Sequence, residues 1–128
     1  MRRDYNLIRD ILLKCEEKLP GSIGVDDIVR FFEPDEEKFD EMYDKYLYHV
    51  QLLIDQGFFV VQPLKVRGAK SNYIIKRLTS AGCDYLDSIR DNSIWQKVLS
   101  KISKVGGSTT LDIIAELAKT VAKNVLGL

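Results

Sequence analysis

An amphipathic stretch from about Glu36 to Gln56 stops at Gly57, and the β-favouring run Phe58-Phe59-Val60-Val61 follows at once. This switch of hydrophobic period, from helical to alternating, constrains the fold more than any other feature of the chain. On a wheel at about 100° per residue, Phe39, Met42, Tyr43, Tyr46, Leu47, Val50, Leu53 and Ile54 fall within an arc of about 140°. The opposite face carries Glu41, Asp44, Lys45, Tyr48, Gln51, Leu52 and Asp55. Gly57 suits the left-handed residue that closes such a helix. A second β-rich run, Tyr73-Ile74-Ile75, lies beyond Pro63–Asn72, whose Gly68 and Asn72 favour a turn. The two runs predict an antiparallel hairpin with a long basic tip.

Upstream, Asp4 is placed to cap a first helix carrying Tyr5, Ile8, Ile11, Leu12, Cys15 and Leu19 at helical spacing, ended by Pro20-Gly21. Ser22-Ile23-Gly24 has room for one extended residue. A short second helix is expected with Asp26 and Asp27 in its first turn, where the dipole favours acids, and Val25, Ile28, Val29 and Phe32 inward. Glu33-Pro34-Asp35 breaks it, with Pro34 placed to begin the long third helix. Downstream, Thr79 caps a fourth helix, Ser93 a fifth bearing Trp95, Val98, Leu99 and Ile102, and Ser108 or Thr109 a last one after the Gly106-Gly107 turn. Three helices and then a hairpin is the element order of a winged helix-turn-helix. The expected fold is therefore α+β and mostly α: a winged-helix-like core over residues 1–78, a wing at about 58–77, and a C-terminal helical extension over 79–128 packed on it as one structural domain. The 128 residues suffice for one such core without a covalent staple.

The formal charge is zero, but it is a cancellation. Residues 1–62 hold 8 basic against 14 acidic side chains, a net of −6, and residues 63–128 hold 11 against 5, a net of +6. Between Asp55 and Asp84 there is no acid, while Lys65, Arg67, Lys70, Lys76 and Arg77 all fall there. Between Asp91 and Asp112 there is again no acid, and Lys97, Lys101 and Lys104 share one helical face. Such a dipolar chain offers one pole to polyanions.

Several blocks resemble a bacterial and phage family known as domain of unknown function 2513. They are the opening RRDYNLIRDILL, the segment Tyr48 to Gly57 read as Y-H-x-x-L-L-x-x-x-G, and Leu78 to Asp91 read as L-T-x-x-G-x-x-[FY]-L-D-x-[IA]-R-D. Trp95, Lys104 to Ser108 and the closing Leu126-Gly127-Leu128 extend the likeness over nearly the whole chain. The resemblance implies a winged-helix-like fold and brings no activity with it. An L-T-x-x-G block after a wing also occurs in regulators of the multiple-antibiotic-resistance type, which is an analogy of fold only.

Three classes of function are open to such a chain. For DNA binding, the wing residues Lys65, Arg67 and Lys70 and the row Lys97, Lys101 and Lys104 are phosphate-type contacts, and Tyr48 and Gln51 stand on the face that would meet base edges. Glu36, Glu37, Asp40, Glu41, Asp44 and Asp55 oppose that docking, with Lys45 alone offsetting them. For protein interaction, the last helix sweeps an apolar arc of about 220°, where one packed face needs little more than 100°. Ile114, Leu117, Val121 and Val125 are then the expected contacts with a second copy, a homodimer without nucleic acid being the alternative to DNA binding. For catalysis there is little: no P-loop, no G-x-S-x-G, no G-x-G-x-x-G, and a single histidine, His49, expected half-buried and structural. No catalytic residue, metal ligand, cofactor, small-molecule substrate or membrane span is assigned; Cys15 and Cys83 are expected as buried free thiols rather than zinc ligands. MRRDYNLIRD has no apolar core before Asp4 and Arg9, so a signal peptide is not expected and a reduced cytoplasm is.

Overall fold

The computed structural model describes residues 1–64 and 72–128. The chain divides into two compact units, Met1–Cys83 and Asp84–Leu128. The first unit contains α1 (Tyr5–Lys18), β1 (Ile23–Gly24), α2 (Val25–Phe32), α3 (Glu36–Asp55), β2 (Phe59–Leu64) and β3 (Asn72–Leu78), and it ends in the first turn of α4 (Ser80–Ile89). The second holds the rest of α4, then α5 (Asn92–Ser103) and α6 (Leu111–Leu126). The fold is α+β and mostly helical, as the element order predicts.

Each helix of the first unit starts where a side chain satisfies its free N–H groups. The Asp4 carboxylate accepts from Leu7 N–H at 3.0 Å, Asp27 reaches back to Gly24 N–H at 2.9 Å, and Asp35 accepts from Glu37 N–H at 3.0 Å. Pro34 therefore precedes the cap of α3 instead of opening the helix, because Asp35 takes the capping role. α1 buries Leu7, Ile8, Ile11, Leu12 and Cys15; α2 buries Val25, Ile28 and Val29; α3 buries Tyr43, Tyr46, His49, Val50 and Leu53. These stripes meet where α3 packs on α1 and α2. Gly57 sits at φ +73°, which only glycine adopts freely, and Phe58 N–H closes the helix on Leu53 C=O at 3.0 Å.

The three strands form an antiparallel sheet in the order β1-β3-β2. Together with the helix order this is compatible with a winged-helix-like arrangement. The hairpin is longer than its hydrophobic runs predict. Pairing extends from Phe59↔Leu78 to Leu64↔Asn72, with a bulge at Val60/Val61. Opposite that step β3 carries one extra residue, Lys76, and the phase of alternation shifts by one. Both Ile75 and Leu78 thereby reach the core, and the Lys76 ammonium is left to donate to Ser22 Oγ at 2.7 Å. Pro63 is tolerated because β2 is an edge strand.

In the second unit α5 begins at Asp91, whose carboxylate accepts from Ile94 N–H at 2.9 Å, so Ser93 lies inside the helix instead of capping it. α6 begins at Thr110, two residues after Ser108 and one after Thr109, with its hydroxyl accepting from Ile113 N–H at 3.2 Å. The turn between them uses Gly106 and Gly107 at positive φ, as expected. α5 and α6 pack together, with Trp95, Val98 and Ile102 buried on one and Leu111, Ile114, Ala118 and Val121 on the other. Among the described residues no helix is long and apolar enough to cross a membrane.

Candidate nucleic-acid interface

The basic wing residues Lys65, Arg67 and Lys70 lie outside the described residues. At the base of the hairpin, Arg77 donates to the Leu78 carbonyl at 3.2 Å, and Lys76 is held by Ser22. These two cations are thus drawn into local contacts.

The row on α5 is different. Lys97, Lys101 and Lys104 are all exposed, while Trp95, Val98 and Ile102 turn the other side of the helix inward. None of the three lysines has a carboxylate partner among the described residues, whereas Arg90 pairs with Asp87 and Lys119 with Glu116. Lys97 and Lys101 border an open groove of about 350 Å³, which Val121, Asn124 and Val125 complete. The groove unites two residues expected to meet phosphate with two expected to meet a second copy. Its lining includes no acid.

The apolar residues of α6 divide unequally. Ile114 and Val121 are 0% and 4% exposed, so they belong to the chain's own packing and do not form a free surface. A charge at Val121 would therefore perturb folding. Leu117 is half-buried. Val125 is 61% exposed although it continues the Ile114–Ala118–Val121 stripe one turn further, so the core-facing stripe of α6 runs on past the residues that cover it.

On α3, Tyr48 and Gln51 are half-buried rather than fully presented. The Tyr48 ring stands edge-on to His49 at 5.3 Å and 88°. Lys45, expected to offset the acids of this face, pairs instead with Asp4 at 3.4 Å. Glu36, Glu37, Asp40, Glu41 and Asp44 are exposed. The face that would enter a groove of DNA is thus more acidic than the sequence alone implies.

His49 is fully buried, not half-buried. Its Nε2 accepts from Asp4 N–H at 2.9 Å, and its Nδ1–H donates to the Lys45 carbonyl at 2.7 Å. A backbone N–H can only donate and a carbonyl only accept, which fixes the neutral Nδ1–H form. Burial lowers its pKa from the ordinary 6.5, outweighing the Lys45 carbonyl and the Asp4 charge, which raise it. The wheel leaves His49 at the edge of the core arc; the start of α1 closes over that edge, a tertiary contact that periodicity does not carry. Asp4 is held below its usual 3.8: partial burial pushes it up, but Leu7 N–H and the Lys45 ammonium prevail. A buried histidine with both nitrogens taken is a structural tie between α1 and α3.

A second groove, of about 240 Å³, lies at the α2–α3 elbow, and nothing in the sequence marks it as concave. Arg30, Glu33, Pro34, Glu36, Phe39 and Asp40 line it, with the Arg30 guanidinium 4.7 Å from the Phe39 ring centre. Cys83, expected buried, is exposed because its neighbour in the L-T-x-x-G turn, Gly82, is the residue facing inward. Among the described residues no three His, Cys, Asp or Glu side chains gather in a metal-holding group.

The chain matches, over residues 2–108, the model of a family described as hypothetical protein (DUF2513). It is similar to an uncharacterized protein of Haemophilus influenzae, 30% identical over 129 residues that span 98% of this chain and 99% of the relative. No solved structure matches it.

Proposed function

The chain belongs to the family described as hypothetical protein (DUF2513), and we propose that it is a small, non-enzymatic, regulatory-type protein that binds nucleic acid through its basic half. The observation that carries this reading is the α5 row: three exposed lysines on one face, without an acidic partner among the described residues, in a stretch free of acid from Asp91 to Asp112. Such a row tracks a phosphate backbone without reading sequence. The basic residues of the wing, Lys65, Arg67 and Lys70, belong to the same half of the sequence. The acids of α3 argue that the third helix does not lie in the major groove, so contact by backbone charge is favoured over base readout.

The test is fluorescence anisotropy of a labelled random duplex across a salt series. Affinity should fall linearly with salt on logarithmic axes. Replacing Lys97, Lys101 and Lys104 together by alanine should flatten the slope by about 2–3, at roughly 0.9 for each phosphate no longer neutralised. No binding at low salt, or an unchanged slope in the triple variant, would overturn the proposal. The second reading, a protein-interaction module without nucleic acid, is favoured by a separate observation, the uncovered Val125 on α6.

A further inference from the structure

We infer that the cationic rim of the α5–α6 groove docks on the acidic α2–α3 elbow of a second copy of this chain. The groove has an apolar side, where Val125 stands exposed beyond the buried Val121, and a cationic rim, Lys97 and Lys101. Val125, 61% exposed at the end of a buried stripe, calls for an apolar cover. The rim calls for carboxylates. It also opposes the simplest dimer, pairing of α6 with α6 about a two-fold axis, because that brings Lys97 and Lys101 toward their own copies.

The elbow has a largely matching composition. Glu33, Glu36 and Asp40 outnumber its one cation, Arg30, which is held over the Phe39 ring at 4.7 Å, and Pro34 is its exposed apolar residue. The spacing matches as well. Lys97 and Lys101 are one helical turn apart on α5, and Glu36 and Asp40 are one turn apart on α3, so both charge pairs are spaced by about 6 Å along their helices. Two carboxylates can meet two ammonium groups in register while the exposed Pro34 covers Val125. The contact joins unlike surfaces, and every copy carries both halves, so it either closes as a reciprocal pair or propagates. It is small and charge-dominated, hence weak and sensitive to salt.

Sedimentation velocity on the intact chain at about 0.5 mM, in about 25 mM and about 500 mM salt, tests it. The wild-type chain should exceed its monomer mass of 14.7 kDa at low salt and return to it at high salt. Lys97→Glu/Lys101→Glu and Glu36→Lys/Asp40→Lys should each be monomeric alone, since each places like charges on both halves. Mixed in equal amounts they should associate again, because the swap restores attraction between the two variants. All four residues are exposed, so folding is retained, as circular dichroism would verify. A monomeric wild-type chain at low salt, association that survives either double variant, or a mixture that stays monomeric would each overturn the inference. It shares Lys97 and Lys101 with the nucleic-acid reading but fails separately: Glu36→Lys/Asp40→Lys keeps every lysine, so it should lose association while keeping or raising affinity for the duplex.

Discussion

Gly82→Ala asks whether the close approach of the first turn of α4 to the start of β2 is a requirement of the fold. An ideal Cβ at Gly82 would lie 2.4 Å from the Phe58 carbonyl oxygen, 3.1 Å from Phe58 Cβ and 3.2 Å from its carbonyl carbon. Ordinary carbon–oxygen contacts begin near about 3.3 Å, so the overlap is about 1 Å, and it is with backbone. Neither side can yield freely. The Phe58 carbonyl accepts from Thr79 N–H at 2.9 Å, Phe58 N–H closes α3 on Leu53, and the Phe58 ring is buried. Gly82 N–H donates to Thr79 Oγ1 at 3.1 Å, and that hydroxyl donates to the Gly57 carbonyl. Alanine gains about 1 kcal/mol of helix propensity over glycine. Against this, overpacking of a tight site costs about 1–3 kcal/mol. Loss of one of the tethering hydrogen bonds adds about 1 kcal/mol. The net should be a destabilisation of about 1–3 kcal/mol, read as a lower urea midpoint with an unchanged slope, or a Tm lowered by roughly 4–12 °C. Helix propensity alone predicts the opposite sign. A variant as stable as the parent, or more so, would show that the fold does not depend on this approach.

Two further outcomes follow from the buried polar and thiol groups. His49 is neutral in the fold with a pKa below 6.5, whereas unfolded chains take up the proton near 6.5; its contribution is therefore complete above about pH 6.5 and is lost as pH falls through the folded value, at up to about 1.4 kcal/mol per pH unit. Urea midpoints from pH 7 downward should show this loss, with Asp4 adding its own only as pH falls below its ordinary 3.8, and His49→Gln should remove the slope just below pH 6.5; an equal slope in the variant would contradict it. Burial pushes the Cys15 thiol up to about 12 while Cys83 is exposed, so a thiol reagent should label one cysteine at once and the second only after unfolding. Two fast thiols would contradict the packing of α1, and none would contradict the exposure of Cys83 on α4.

What could be read from the sequence was what local chemistry dictates. The stripes of α1, α2 and α3, the Asp4 and Thr79 caps, the left-handed Gly57 and the Gly106-Gly107 turn each follow from residues close in the chain. Where nearby residues compete to cap, the sequence alone does not choose between them: Asp91 prevails over Ser93, and Thr110 over Ser108 and Thr109. The extra residue Lys76 in β3 carries no signature, because a bulge is recognisable only against the partner strand. His49 is a polar residue buried by a contact 45 positions away, and no periodicity encodes that. Of the candidate site, the exposure of Lys97, Lys101 and Lys104 follows from the wheel, but the meeting of Lys97 and Lys101 with Val125 in one groove depends on how α5 and α6 pack. The same packing withdrew Ile114 and Val121 from the expected interface.

The acids of α3 carry the consequence that reaches furthest. A helix N-terminus attracts phosphate because its first N–H groups are free and its dipole end is positive. In α3 that end is already occupied: the Asp35 carboxylate takes Glu37 N–H, and Glu36 and Glu37 sit in the first turn. Internal carboxylates thus neutralise what a phosphate would otherwise find. One turn further on, Asp40, Glu41 and Asp44 keep the exposed face negative, and Lys45 is drawn away by Asp4. The third helix is therefore built to repel a polyanion along its leading half. A polyanion that met this chain would have to do so away from this face of α3.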